Sequence, residues 1–215
     1  MSGGSKTKPG AKIDRSQVLA AADQLRVKGK YAKAVAEYRK VLLLDPKDAD
    51  VLSKIAPLLV KLKENEEALR DFRAAADEYI HRGFVDRAIA LYVQATAAFP
   101  REAQLWEALG KLHNERGRKA EGIKALMAGA AQFKGKKGRP TALKFLRQAL
   151  SYDWNHIEAT IALARLLKAN GEAASARTLL DELAPRIRGP AVKRIHSARL
   201  RLFPGFGSLW RWMRG

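Results

Sequence analysis

The chain has 215 residues, 47% hydrophobic and 29% charged, a balance that can bury a core and excludes a wholly disordered polymer. It contains no cysteine, which excludes a disulfide framework, a thiolate metal site and a cysteine nucleophile, and fits the cytoplasm. The formal net charge of +19 is uneven: +5 over residues 1–30, +2 over 31–133 and +12 over 134–215, with no acid from Leu183 onward. Such a field favours an acidic protein patch, nucleic acid or anionic lipid without choosing among them.

Residues 1–13 are rich in Ser, Gly, Lys and Pro, lack apolar periodicity and read as a disordered basic arm. Their basic start is followed by no apolar run of signal-peptide length, and charges interrupt the later apolar stretches too often for a spanning helix. From residue 14 onward the apolar residues recur at helical spacing. Gly29, Gly83, Gly117 and Gly171 each close one periodic segment and precede another, as a residue able to turn left-handed does at a helix end. Pro46 and Pro100 end helices at LLLDPKD and AAFPRE, and Pro57 is expected to bend or split the helix that contains it. The sequence FKGKKGRPT lacks phosphate-loop spacing and reads as an exposed loop. The whole predicts about eleven helices of roughly 12 to 16 residues, short connections and no strand.

A shift of 54 residues superposes like residues along the chain. Ala34 falls on Ala88 and Ala142; Tyr38 on Tyr92 and Leu146; Val41 on Ala95 and Ala149; Pro46 on Pro100 and Trp154. Further on, Leu52, Trp106 and Thr160 coincide, then Ile55, Leu109 and Leu163, then Ala56, Gly110 and Ala164. A fixed period of this kind marks stacked units that bury their apolar faces only against neighbours. Within the unit, Trp106, Leu109, Gly110 and Gly117 hold the spacing of the first helix of a tetratricopeptide repeat. Gly29, Tyr31, Ala34, Tyr38 and Pro46, and again Gly83, Ala88, Tyr92, Ala95 and Pro100, hold that of the second. Residues 15–188 therefore resemble the tetratricopeptide-repeat family, with segments 66–81 and 119–133 each serving two repeats. The resemblance implies an all-α fold, a right-handed α-solenoid of helical hairpins, over 14–202, with residues 203–215 as an aromatic and basic amphipathic tail. Its structural positions here are Ala34, Tyr38, Pro46, Ala88, Tyr92, Pro100, Trp106 and Gly110.

Residues for catalysis are not assembled in the sequence. His81, His113, His156 and His196 lack ligand spacing, adjacent acids such as Glu66 and Glu67 point apart on a helix, and no serine occupies a nucleophile elbow. No catalytic, metal or cofactor site is expected, nor a small-molecule substrate. Some members of the family clamp a partner's C-terminal carboxylate with Lys and Asn on successive first helices. The corresponding positions here hold Ser16, Leu19, Asp23 and Arg26, then Asp50, Ser53 and Pro57, so that clamp is missing.

Stacking as in the family would line a groove with Gln104, Glu107, Lys111 and Asn114, then Glu158, Ile161, Arg165 and Lys168, with Arg70, Arg73, Lys124 and Met127 added. Long polar and apolar groups together suit an extended peptide or a helix, and a solvated helix face is the plain alternative. In the tail, Phe206, Leu209, Trp210 and Met213 recur at helical spacing, with Arg211, Trp212 and Arg214 beside them. Such a segment can cap the last repeat, dock into a partner or lie on a membrane. Lys134, Lys136, Lys137 and Arg139, with Arg186, Arg188, Lys193, Arg194, Arg199 and Arg201, could neutralise phosphates, but no nucleic-acid-binding motif accompanies them. The expectation is a cytoplasmic, non-enzymatic adaptor for an acidic protein segment or helix. The alternative is a peripheral factor for nucleic acid or for anionic membrane at its inner face.

Overall fold

The computed structural model describes residues 14–204, and among them the chain is all-helical, with eleven α-helices and no strand. It divides into two compact units between Ala98 and Phe99. The first holds α1 (Arg15–Val27), α2 (Tyr31–Leu42), α3 (Ala49–Leu62), α4 (Asn65–His81) and α5 (Val85–Ala98). The second holds α6 (Ala103–Glu115), α7 (Lys119–Gln132), α8 (Gly135–Tyr152), α9 (Ile157–Ala169), α10 (Ala173–Leu183) and, after a single 3-10 turn, α11 (Ala191–Leu202). Within each unit every helix packs against the next across a short turn, the hairpin stacking of an α-solenoid.

The repeat register governs burial. Ala34, Ala88 and Ala142 are buried, as are Tyr38, Tyr92 and Leu146, and Ile55, Leu109 and Leu163. Pro46, Pro100 and Trp154, at the turns, are exposed. Helices α3, α6 and α9 begin at Ala49, Ala103 and Ile157, and α4, α7 and α10 at Asn65, Lys119 and Ala173, each series at intervals of 54 residues. Asp48, Glu102 and His156 precede the first series as N-caps. Asp48 accepts from the Val51 amide at 3.1 Å and pairs with Arg15 at 2.6 Å, which fastens the start of α1 to the start of α3. His156 caps α9 through Nδ1, 3.2 Å from the Ala159 amide.

The turns after α3, α6 and α9 need left-handed backbone. Gly117 and Gly171 supply it at φ 73° and 93°, but the third equivalent position is Lys63, at φ 64°. It is the one non-glycine with positive φ among the described residues. A side chain in this region costs about 1 kcal/mol or more, partly offset by the extra unfolded-state freedom of glycine. Lys63→Gly is therefore expected to raise stability by about 0.5–1 kcal/mol in denaturant titrations. A loss of stability would show that the lysine side chain contributes more than its backbone strain.

The expectations of a split at Pro57 and of a loop at FKGKKGRPT are corrected. Helix α3 runs through Pro57 without a break, held by the buried face of Val51, Leu52, Ile55, Ala56, Leu58 and Leu59. The FKGKKGRPT segment is a helix from Gly135, not a loop. Its first turn folds back so closely on Phe133 that a Cβ on Gly138 would lie 2.6 Å from the Phe133 carbonyl carbon. Pro140 falls early in α8, where its missing N–H leaves only one first-turn carbonyl without its helical donor.

Candidate functional site

Each unit carries cavities among its own helices, and their electrostatics differ. In the first unit, a cavity of about 500 Å³ is lined by Asp23, Arg26, Tyr31, Ser53, Lys54 and Lys61, with Pro57 and Leu58. Its one acid, Asp23, engages two of its three cations, and the third, Lys61, packs on an aromatic ring. The Tyr38 hydroxyl donates to Asp23 at 2.6 Å, and Lys54 and Arg26 reach the same carboxylate at 2.9 and 3.3 Å. The Tyr38 hydrogen bond and then the Lys54 ammonium hold the Asp23 pKa below the ordinary carboxylate range. Burial, reinforced by Asp23, pushes the Tyr38 phenol up to about 12. Lys61 lies over the Tyr31 ring at 4.4 Å. This cluster ties α1, α2 and α3 together, with the Asp23 carboxylate set against Arg26 and Lys54.

The second unit has two adjoining cavities with a different balance. One, about 560 Å³, lies between α7, α9 and α11, with Arg165, Lys193, Arg194, Ser197 and Arg201 around Met127 and Ile161. Its one acid is Glu158, which is already paired with Arg194. Arg165, Lys193 and Arg201 make no ion pair with any described residue. The other cavity, about 610 Å³, lies between the end of α7, the start of α8 and the end of α9. Ala130, Phe133, Ala142, Leu146 and Leu166 give it an apolar lining, and Lys134 and Arg139 stand at its rim. Met127, Ala162 and Arg165 border both, so the two form one groove.

Of the groove residues read from the sequence, Arg165 lies in this groove, with Met127, Glu158 and Ile161. Lys168 is engaged elsewhere: it donates to the Leu202 carbonyl and lies 5.3 Å from the Phe203 ring, clasping the end of α11 to α9. Glu107 pairs with Lys144 of α8 at 2.8 Å, and Lys111 with Glu115 of its own helix at 3.6 Å. Gln104 is exposed on α6 and Asn114 half-buried. Arg73 is half-buried in the first unit, near enough to Tyr92 to oppose the burial that raises that phenol's pKa. Phe206, Leu209, Trp210, Arg211, Trp212 and Met213 lie outside the described residues, as does the arm over 1–13. Residue spacing missed the convergence of Phe133, Lys134 and Arg139 with α9. A signal was available in the basic run 134–139 standing directly before an apolar helix.

Among the described residues no group of three or more His, Asp or Glu is placed to hold a metal, and no helix is long and apolar enough to cross a membrane. Family models for the tetratricopeptide repeat match residues 22–63, 73–137 and 140–198. The chain is a tetratricopeptide-repeat protein. Solved structures similar to this tetratricopeptide-repeat chain include a tetratricopeptide repeat protein from Parabacteroides merdae, 12% identical over 93% of this chain and 91% of that one, with a TM-score of 0.33. Pseudomonas aeruginosa pilF is 18% identical over 93% and 87%, at 0.30. A thermophilic protein of the family from Thermus thermophilus is 20% identical over 86% and 98%, at 0.27. Among curated proteins none matches the sequence. Membership supports a protein-interaction scaffold, since the family's repeats generally mediate contacts between proteins.

Proposed function

We propose that this protein is a non-enzymatic, cytoplasmic adaptor that holds an acidic segment of a partner protein in the groove of its second unit. The observation that carries this reading is the set of cations on α9 and α11. Arg165, Lys193 and Arg201 face one trough without an acid to neutralise them among the described residues, while Glu158 is taken by Arg194. A partner carboxylate entering there meets several cationic donors, which accelerates encounter and selects the sign of the partner's charge. In the polar cavity of the first unit Asp23 engages Arg26 and Lys54, which leaves Lys61 as the one lining cation not paired with it. The tail from Phe206 to Met213 is proposed as a second contact with the same partner.

The test is affinity capture from nuclease-treated native extract at two salt concentrations, comparing the intact chain, Arg165→Glu/Arg201→Glu, and a chain ending at Pro204. An acidic protein retained at the higher salt by the intact chain, and reduced about tenfold or more by the charge reversal, supports the adaptor. Loss on truncation as well assigns the tail its part. Recovery of nucleic acid or lipid alone, abolished by nuclease or by salt, contradicts the adaptor and makes the basic surface a polyanion site.

A further inference from the structure

The groove is divided, and its division constrains what can fill it. The compartment between α7, α8 and α9 is apolar at its floor, with Met127, Ala130 and Leu166 beside the buried Ala142 and Leu146, and Phe133 at one side. The compartment against α11 is polar, with Lys193, Arg194, Ser197 and Arg201 on a single helix. Arg165 borders both, and Lys134 and Arg139 stand on the far rim of the apolar one. Cations thus flank an apolar hollow on two sides. An acid-only chain would leave the hollow wet, and an apolar chain would leave the rim cations without counter-charges.

We infer that the occupant is a segment of a partner protein in which one large apolar side chain is flanked on both sides by acidic residues, the apolar group seated on Met127, Phe133 and Leu146 and the acids on Arg165, Arg201 and the Lys134–Arg139 rim. This rests on the adaptor reading and specifies its ligand. Exposure of the hollow supports it: Ala131 and Ala169 border it from solvent-exposed positions, so the anchor has an open path of entry. The two compartments also divide the physical roles. The acidic flanks give a salt-sensitive contribution, while burial of the anchor gives one that persists as salt rises.

The experiment uses the full chain and two synthetic peptides of about twelve residues, one of Asp, Glu, Gly and Ser only and one with a single central Phe replacing Gly, followed by fluorescence anisotropy at low and physiological ionic strength. The anchored peptide is expected to bind about 10- to 100-fold more tightly, with the ratio maintained as salt rises. Ala131→Trp, which fills the hollow from an exposed position, should abolish that ratio and leave the acid-only affinity within about twofold. Ala169→Trp serves as a second filling variant on α9. Equal affinity for the two peptides overturns the divided site and leaves the adaptor reading standing. A preference for Phe that survives both filling variants also overturns it, placing the anchor elsewhere. Failure of both peptides to bind removes the adaptor reading with it.

Discussion

Replacing Gly129 by valine is expected to lower the stability of the second unit by about 3 kcal/mol, and replacing it by alanine by about 1 kcal/mol. Gly129 sits inside α7, and a Cβ built there would stand 2.7 Å from Cγ of Trp106, 2.8 Å from its Cβ and 3.0 Å from Phe145. Neither neighbour can retreat easily. Trp106 is held by the hydrogen bond from its indole Nε1 to the Pro100 carbonyl at 3.0 Å, and Phe145 is fully buried with its ring edge-to-face on Phe133 at 5.7 Å. Alanine would otherwise gain up to about 1 kcal/mol over glycine in a helix, so even a small net loss means the contact outweighs propensity. Denaturant titration checks this, and stabilisation by Gly129→Ala would mean that α6 and α7 are not so closely packed. Because Phe133 borders the groove, the valine variant should also weaken binding of an anchored acidic peptide.

The second large effect concerns Asp71 in α4, whose pKa is pushed up to about 6, first by burial and then by Glu67 one turn earlier, against the opposing pull of Arg39 and Arg70. A carboxyl whose pKa is higher in the folded than in the unfolded chain binds its proton more tightly when folded. Ionising it costs the folded state, so stability falls as pH rises from about 4 through 6 and the full penalty holds above that. Below about pH 3 both states are protonated and the penalty vanishes. Asp71→Asn, which imitates the neutral acid, is accordingly expected to stabilise the first unit by about 2 kcal/mol at pH 8 and by nearly nothing at about pH 3. Denaturant midpoints of both proteins at the two values decide it; an equal change at both would exclude a charge origin.

The parts of the fold that were legible depend on residues whose requirement is local. Helix ends at Gly29, Gly83 and Pro46 announce themselves through backbone chemistry, and the buried series through Ala34, Tyr38 and Ile55 announces itself by period. Lys63 shows where such reading stops: its left-handed backbone is set by the register it shares with Gly117 and Gly171, and nothing about lysine signals it. Gly129 and Gly138 are equally silent, because each is required by a neighbour that only the folded chain brings near. The groove follows the same division. Arg165 and Lys168 are both assigned to the groove by the stacking that the family resemblance implies, but Lys168, one turn on, is withdrawn by Leu202 and Phe203, thirty-odd residues away in sequence. Glu107 and Lys144 likewise meet across α6 and α8, an encounter that spacing within one helix cannot reveal.

The protein's three methionines allow a direct test of whether an acidic protein segment docks in the groove of the second unit. Met127 borders both compartments, while Met1 and Met213 lie at the two ends of the sequence. With the methionine methyl groups labelled with carbon-13, titration of the acidic peptide carrying the central Phe is followed by methyl NMR. The Met127 signal is expected to shift and saturate with the anisotropy-derived affinity while the Met1 signal stays in place. An unchanged Met127 signal at a peptide concentration that saturates binding would contradict it.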